Sequence, residues 1–312
     1  MQGTTPMALG NAKAALLVAL GLFGLYYIGL LVWGLKNGRG ADGKGNIPTP
    51  LGLVVGFVTN FFDTLGIGSY APTTAMFKFM KIVPDERIPG TLNVGHTIPT
   101  VIEAFLFTQL VQVDARTLVL MIAAAVAGAW LGAGFVAGLS RRRVQLGMGF
   151  ALIVAAILFT IKNVDAMRAT PMFPGGTALA LDGTLLYVGI AVNFALGALM
   201  TIGIGMYAPC LILISTLGMN PTAAFPIMMG SCAFLMPVAN GPFIRKNAFN
   251  ARAALGLLIG GIPGVLVAYY LVKSLDLTTV RWGVVAVVLY TAIMMLRSAA
   301  RERAMVPGSV TP

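Results

Sequence analysis

The sequence predicts an all-α polytopic membrane protein. Its expected form is two inverted-topology repeats with broken or re-entrant helices at the midplane, plus one extra N-terminal helix. Three observations carry this. First, of 312 residues 58% are hydrophobic and only 10% are charged, with a mean hydropathy of +0.88. A water-soluble chain of that size needs more charge to keep apolar patches off its surface. Second, Gly66-Ile67-Gly68-Ser69-Tyr70-Ala71-Pro72 returns as Gly203-Ile204-Gly205-Met206-Tyr207-Ala208-Pro209, one residue changed. At the same offset of 137 residues, Pro84 falls on Pro221 and Pro89 on Pro226. Third, the basic clusters change places between equivalent loops of the two halves.

The first apolar run, from about Ala14 to Trp33, is longer than a signal-peptide core and reads as a retained helix. With the basic loop behind it, it forms an N-terminal unit, 1–47. The first repeat, 48–162, opens with a short apolar arm, Leu51 to Leu65. The Gly66–Pro72 break follows, then a second arm to about Met80. Glycine frees the backbone and proline removes a donor, so the run should interrupt a helix. Neither arm reaches the roughly 20 residues a span needs. They therefore form a returning hairpin or two short tilted helices. Apolar stretches follow at Pro89–Val111, Leu118–Leu139 and Val144–Ile161. The linker 163–183 holds Pro171, Pro174 and paired glycines. The second repeat, 184–298, has the same plan, with apolar stretches at Pro221–Asn240, Ala253–Val272 and Val280–Leu296; residues 299–312 form a basic tail.

Charge fixes the expected orientation. Arg141-Arg142-Arg143 in the first half corresponds to the weakly charged Asp276-Leu277-Thr278-Thr279 in the second. Arg245, Lys246 and Arg252 correspond to the nearly neutral Gln112-Val113-Asp114-Ala115. Basic loops stay cytoplasmic, so the halves should face opposite ways, with the N-terminus outside and the C-terminus cytoplasmic. The same clustering between spans explains the net charge of +11 without a nucleic-acid partner. Gly128/Gly132, Gly134/Gly138 and Gly256/Gly260 are spaced for close helix packing.

A helix interrupted at the same place in both halves points to a transporter's binding site. The freed N–H groups and the helix dipole favour an anion there. The residues expected to bind it are Gly66, Gly68, Ser69, Tyr70, Thr73 and Thr74 in one half, and Gly203, Gly205, Tyr207 and Cys210 in the other. Alternatively, Gly and Pro merely kink two helices while the tyrosines cap freed carbonyls. In the next helix Asn93, His96 and Glu103 share one face; Ser231 is the second-half counterpart of Val94. Asn93, His96 and Ser231 join the expected binding set. Asp63, His96 and Glu103 are the proton-coupling candidates, although Asp63 could instead pair with Lys78 or Lys81. Asn60, Asn193, Thr201 and Asn240 are weaker lining candidates.

Cys210 and Cys232 lie in apolar stretches, so no disulfide framework is expected. With His96 and methionines they could hold a soft metal, or handle sulfur chemically; a buried cysteine more often acts as a small hydrophobe. Nucleophile elbow, His-Glu-x-x-His and P-loop signatures do not occur, so neither enzyme chemistry nor a cofactor is expected. Transport would then run on a gradient of protons or sodium.

Two inverted halves, each opening with a Gly-Ile-Gly break that ends in proline, resemble the TauE/SafE permeases of the 4-toluene sulfonate uptake group. The later Gly-bearing helix, the Arg loop and the last apolar helix (Gly128, Arg143, Phe159) are similar too. The resemblance covers roughly residues 50–300. It implies an inner-membrane permease that moves a sulfur-containing anion such as sulfite, thiosulfate or an organosulfonate, often outward. The family's motif has more glycines where Ser69-Tyr70-Ala71 and Met206-Tyr207-Ala208 stand here, a departure that falls on the expected substrate contacts.

Overall fold

In the computed structural model, residues 6–41, 43, 45–271 and 277–304 are described. They form eleven α-helices and no strand. The helices are α1 (Pro6–Lys36), α2 (Pro50–Thr64), α3 (Tyr70–Met80), α4 (Ile88–Leu110), α5 (Ala115–Val136), α6 (Arg141–Met167), α7 (Gly183–Met200), α8 (Tyr207–Thr216), α9 (Ala224–Arg245), α10 (Ala251–Leu271) and α11 (Leu277–Ala304). One-turn 3-10 segments at Asp85–Arg87 and Pro221–Ala223 precede α4 and α9. After α1 the element order therefore runs through twice. Asp276 and residues 305–312 of the tail lie outside the described residues; residues 299–304 continue α11.

Among the described residues, six helices are long and apolar enough to cross a membrane. The burial pattern reverses that of a soluble protein. Leu22, Leu25 and Val32 on α1, and Trp130 and Phe135 on α5, are exposed, while Thr59, Asn60, Asp63, His96 and Glu103 are buried. Lipid is the solvent that makes this arrangement stable. The chain is a multi-pass membrane protein.

Local sequence explains the helix ends. The Thr49 hydroxyl accepts from the Gly52 N–H and caps α2, with Pro50 as its first residue. Asp114 caps α5 through the Thr117 N–H. Where α2 meets α10, a Cβ on Gly260 would stand 2.0 Å from the Leu53 carbonyl oxygen, and one on Gly56 2.6 Å from that of Gly256. Where α5 meets α7, a Cβ on Gly128 would lie 2.0 Å from the Phe194 oxygen, and one on Gly197 2.1 Å from that of Ala125. Glycine alone permits these backbone approaches. The Gly134/Gly138 pair does not pack in this way: nothing lies within 4 Å of a Cβ on Gly134. That face of α5 is turned outward beside exposed Phe135.

Hydrogen bonds gather the loops at two ends. At one, Gly40 donates to the Asn247 side chain, Arg252 to the Ile47 carbonyl, Arg87 to the Ala41 carbonyl and Lys246 to the Gly134 carbonyl. Lys78 pairs with Asp85, which also accepts from Gln145, and Arg141 pairs with Glu302. At the other, Asp114 donates to Leu179, Gly176 to Met219 and Asn220 to Ala178. The basic clusters Arg141–Arg143, Arg245-Lys246 and Arg252 all belong to the first end. The pair α2–α3 begins and finishes there. The pair α7–α8 begins and finishes at the second end, with Leu217 packed within 3.5 Å of a Cβ on Gly189. Each pair is thus a hairpin, and the two enter from opposite ends.

Candidate functional site

The hairpin tips are the breaks. Between α2 and α3 the chain unwinds over Leu65–Ser69, with Gly66 at φ +83° and Gly68 at φ +92°. Gly203, in the second tip, has φ +108°. A side chain rarely adopts these angles, which is why glycine recurs. The unwound part is shorter than the seven-residue motif: Tyr70-Ala71-Pro72 already forms the first turn of α3, and Tyr207-Ala208-Pro209 that of α8. Proline has no N–H, so each tip presents two N–H groups without an intrahelical acceptor, on Tyr70 and Ala71 and on Tyr207 and Ala208.

The tips touch reciprocally. A Cβ on Gly68 would lie 3.9 Å from that of Tyr207, and one on Gly205 3.9 Å from that of Tyr70. Around this contact lie two small adjoining cavities. The first is walled by the two tips with Ala155, Leu158 and Phe159 of α6. The second is walled by Asp63, Ser69, Tyr70, Thr100, Met200, Met206, Tyr207 and Cys232, with Gly68 and Gly205. Their volumes, about 20 Å³ and 10 Å³ for the centre of a water-sized sphere, hold about one water each. The tips are closed on each other.

The two tyrosines differ. The Tyr207 hydroxyl donates to Glu103 Oε2 at 2.8 Å. The Tyr70 hydroxyl is buried and has no partner, and neither does Thr74 one turn along α3. Glu103, fully buried, also lies 2.7 Å from the Thr64 hydroxyl through Oε1.

His96 stands one layer behind Tyr70, ring centroids 5.8 Å apart, and both its nitrogens are engaged. Asn60 donates its Nδ2 to the Gly56 carbonyl at 2.7 Å, which turns its Oδ1 toward His96 Nδ1 at 2.9 Å. The imidazole therefore carries a proton on Nδ1, and in the neutral ring Nε2 accepts from the Thr73 hydroxyl, 3.0 Å away. These partners fix the ring's orientation, and burial without a described acid partner keeps it neutral.

Of the residues expected from sequence, the structure brings Asp63, Gly68, Ser69, Tyr70, Gly205 and Tyr207 to the cavities, with Glu103 one hydrogen bond away. Gly66 and Gly203 shape the tips. Thr73 and His96 form the supporting layer. Asn93 donates to the Pro89 carbonyl within its own helix, and Ser231 meets Asn193 on α7. Cys210 is buried without lining either cavity. Asp63 makes no pair with Lys78, which is held by Asp85 and Ser298 instead. The capping alternative is not realised, since neither tyrosine hydroxyl bonds a freed carbonyl.

Sequence reasoning passed over Thr64, Thr100 and Lys162. Thr100 shares the face of α4 with His96 and Glu103, four residues on and three before, a spacing that could have found it. Lys162 Nζ donates to the Gly66 carbonyl at 3.3 Å from α6. The sequence offers only a cation at the end of an apolar run.

The profile of the family described as Sulfite exporter TauE/SafE matches residues 4–159, half of the chain. The chain belongs to the TauE/SafE family. The match takes in α1, which the resemblance read from sequence left outside, and the whole first break. The second break, outside the matched region, carries the same seven-residue pattern. Comparison with curated proteins and with solved structures gives no match. For a TauE/SafE chain the polar interior of α4 is what a permease requires: intramembrane ionisable groups are expensive and mark solute or ion pathways.

Proposed function

We propose that the chain is a gradient-driven secondary transporter of a small sulfur-containing anion, with sulfite the first candidate. The observation that carries this reading is the buried, unpartnered Tyr70 hydroxyl at the contact of two opposed helix tips. A buried donor left unpaired costs about 1–3 kcal/mol, and an anion at the tips removes that cost. Four N–H groups on the first turns of α3 and α8 flank this contact, where the helix dipoles favour negative charge.

The two hairpins are read as inverted repeats about an axis in the membrane plane. The basic end lies in the cytoplasm by the positive-inside rule, in a cell inner membrane. The closed tips represent an occluded arrangement that must open to one side and then the other. Hydroxyl and N–H donors suit the unprotonated oxygens of a sulfur oxyanion, which accept.

Purified protein reconstituted in liposomes tests the reading. Radiolabelled sulfite should exchange across the membrane, and excess unlabelled sulfite should compete. No exchange of sulfite, thiosulfate or a sulfonate would refute it. A second reading, soft-metal handling, has one observation in its favour: Cys232 Sγ lies 3.5 Å from Met200 Sδ and 3.8 Å from Met206 Sδ. His96, its other proposed ligand, has both nitrogens occupied. Cys232→Ser separates the two, since an anion carrier should keep exchanging sulfite.

A further inference from the structure

We infer that Glu103 is a proton-binding site that couples the proton to the anion: the two bind together, and Tyr207 is the switch between them. The inference rests on the anion reading above and adds the coupling ion to it. It starts from a count of hydrogens. Thr64 has one hydroxyl hydrogen and two acceptors in reach, the Asn60 carbonyl at 2.9 Å and Glu103 Oε1 at 2.7 Å. The Asn60 carbonyl already accepts the Thr64 N–H within α2, so the hydroxyl hydrogen can serve an ionised Glu103 at Oε1, and the bonds accommodate either form. With a protonated Glu103, Oε1–H donates to Thr64, Thr64 donates to Asn60, and Tyr207 donates to Oε2. Every group is then satisfied.

Charge decides between the two forms. No described ion pair involves Glu103, which is fully buried in the centre of a membrane protein. A carboxylate there without a cation costs several kcal/mol. The titratable groups facing it are acids: Asp63 from α2, Tyr207 from α8 and Cys232 from α9. Its own helix brings neutral His96, and α10 brings Tyr269 onto Phe107. None of these supplies a positive charge; on α6, Lys162 reaches the Gly66 carbonyl at the same tip, two residues from Thr64.

Tyr207 makes the coupling. It lines both cavities and bonds Glu103 with its only hydroxyl hydrogen. An ionised Glu103 holds that hydrogen and repels an anion at the tips. A protonated Glu103 has its own donor, so Tyr207 can turn its hydrogen to an anion oxygen beside Tyr70. Anion release then lets Tyr207 return to Oε2, and the proton leaves from Oε1 to water on the open side. Linkage is reciprocal: the proton strengthens anion binding by the factor by which the anion strengthens proton binding.

Three measurements test this. Infrared difference spectra of purified protein at neutral pH should contain a protonated-carboxyl band that Glu103→Gln removes and Asp63→Asn leaves. Its persistence in Glu103→Gln overturns the inference whatever solute is carried. Gln reproduces the acid's bonds, its amide donating to Thr64 and accepting from Tyr207. The ratio of sulfite affinities, wild type to Glu103→Gln, should fall about tenfold from pH 6 to pH 8, and a pH gradient should drive net sulfite uptake only in wild type. Comparing both proteins in the same buffers cancels the titration of sulfite itself. A constant ratio, or a Gln variant that binds no sulfite, overturns the coupling. Wild-type protein that exchanges no sulfite, thiosulfate or sulfonate removes the anion reading, with the infrared result standing on its own.

Discussion

Removing one oxygen atom should separate binding from stability. In Tyr70→Phe the ring keeps its packing against His96 and the Tyr207 tip, and only the unpartnered hydroxyl goes. Deleting a buried group that pairs with nothing removes its desolvation cost, so the ligand-free protein should be as stable as wild type or up to about 1–3 kcal/mol more stable. Binding should move the other way. A hydrogen bond to a charged group contributes about 1.5–3 kcal/mol, and about 1.4 kcal/mol is tenfold in affinity. The Kd for sulfite should therefore rise roughly 10- to 150-fold. Melting of detergent-purified protein without and with a sulfite series measures both quantities, since bound ligand raises apparent stability by mass action. Tyr207→Phe is the built-in contrast, because it strips a donor from Glu103 and should lose about 1–3 kcal/mol without ligand. A Tyr70→Phe protein that melts well below wild type, or a Kd changed less than about threefold, a small part of that range, would refute the reasoning.

Gly68→Ala should damage the protein more than Gly205→Ala despite their matching places in the motif. Only Gly68 has positive φ, which costs an alanine about 1–2 kcal/mol; expression and melting of both variants check this. Gly128→Ala drives a methyl against the Phe194 carbonyl and should cost about 1–3 kcal/mol. Gly134→Ala, with open space around it, should be neutral or gain up to about 1 kcal/mol in the same melting assay. Lys78→Met breaks a pair whose side chains are 12% and 7% exposed. It should cost about 3 kcal/mol, the low end for a buried pair, because Gln145 still donates to Asp85; Asp85→Asn alongside it should recover part of the loss.

Much of the architecture was legible because membrane physics writes it coarsely. Apolar run length gave the helices, and the repeated Gly-Ile-Gly-x-Tyr-Ala-Pro gave the two interruptions. The displaced arginines gave the sorting of loops, which the hydrogen bonds at the two ends reproduce. Two features were harder. Gly134 and Gly138 have the same spacing as Gly128 and Gly132, yet only the second pair meets another backbone, because spacing fixes a helix face but not its neighbour. Within the site, the motif's symmetry hid an asymmetry of partners. Tyr70 and Tyr207 are interchangeable in sequence, and only the fold reveals that Glu103 lies within reach of one of them. Asn93 and Ser231, polar within the membrane, line neither cavity: Asn93 Nδ2 bonds within its own helix and Ser231 meets Asn193, while Asn93 Oδ1 has no partner. Lys162 reached the first tip from ninety-six residues away, a distance no local pattern spans.

The central claim is that one anion sits where the two hairpin tips meet. A crystal of the protein grown with selenate, an oxyanion located by its anomalous signal, tests that claim most directly. The account predicts a single peak within hydrogen-bond reach of the Tyr70 hydroxyl and flanked by the first turns of α3 and α8, absent from Tyr70→Phe crystals grown alike. A peak at the basic loops alone, or one at the tips that Tyr70→Phe leaves undiminished, would contradict it.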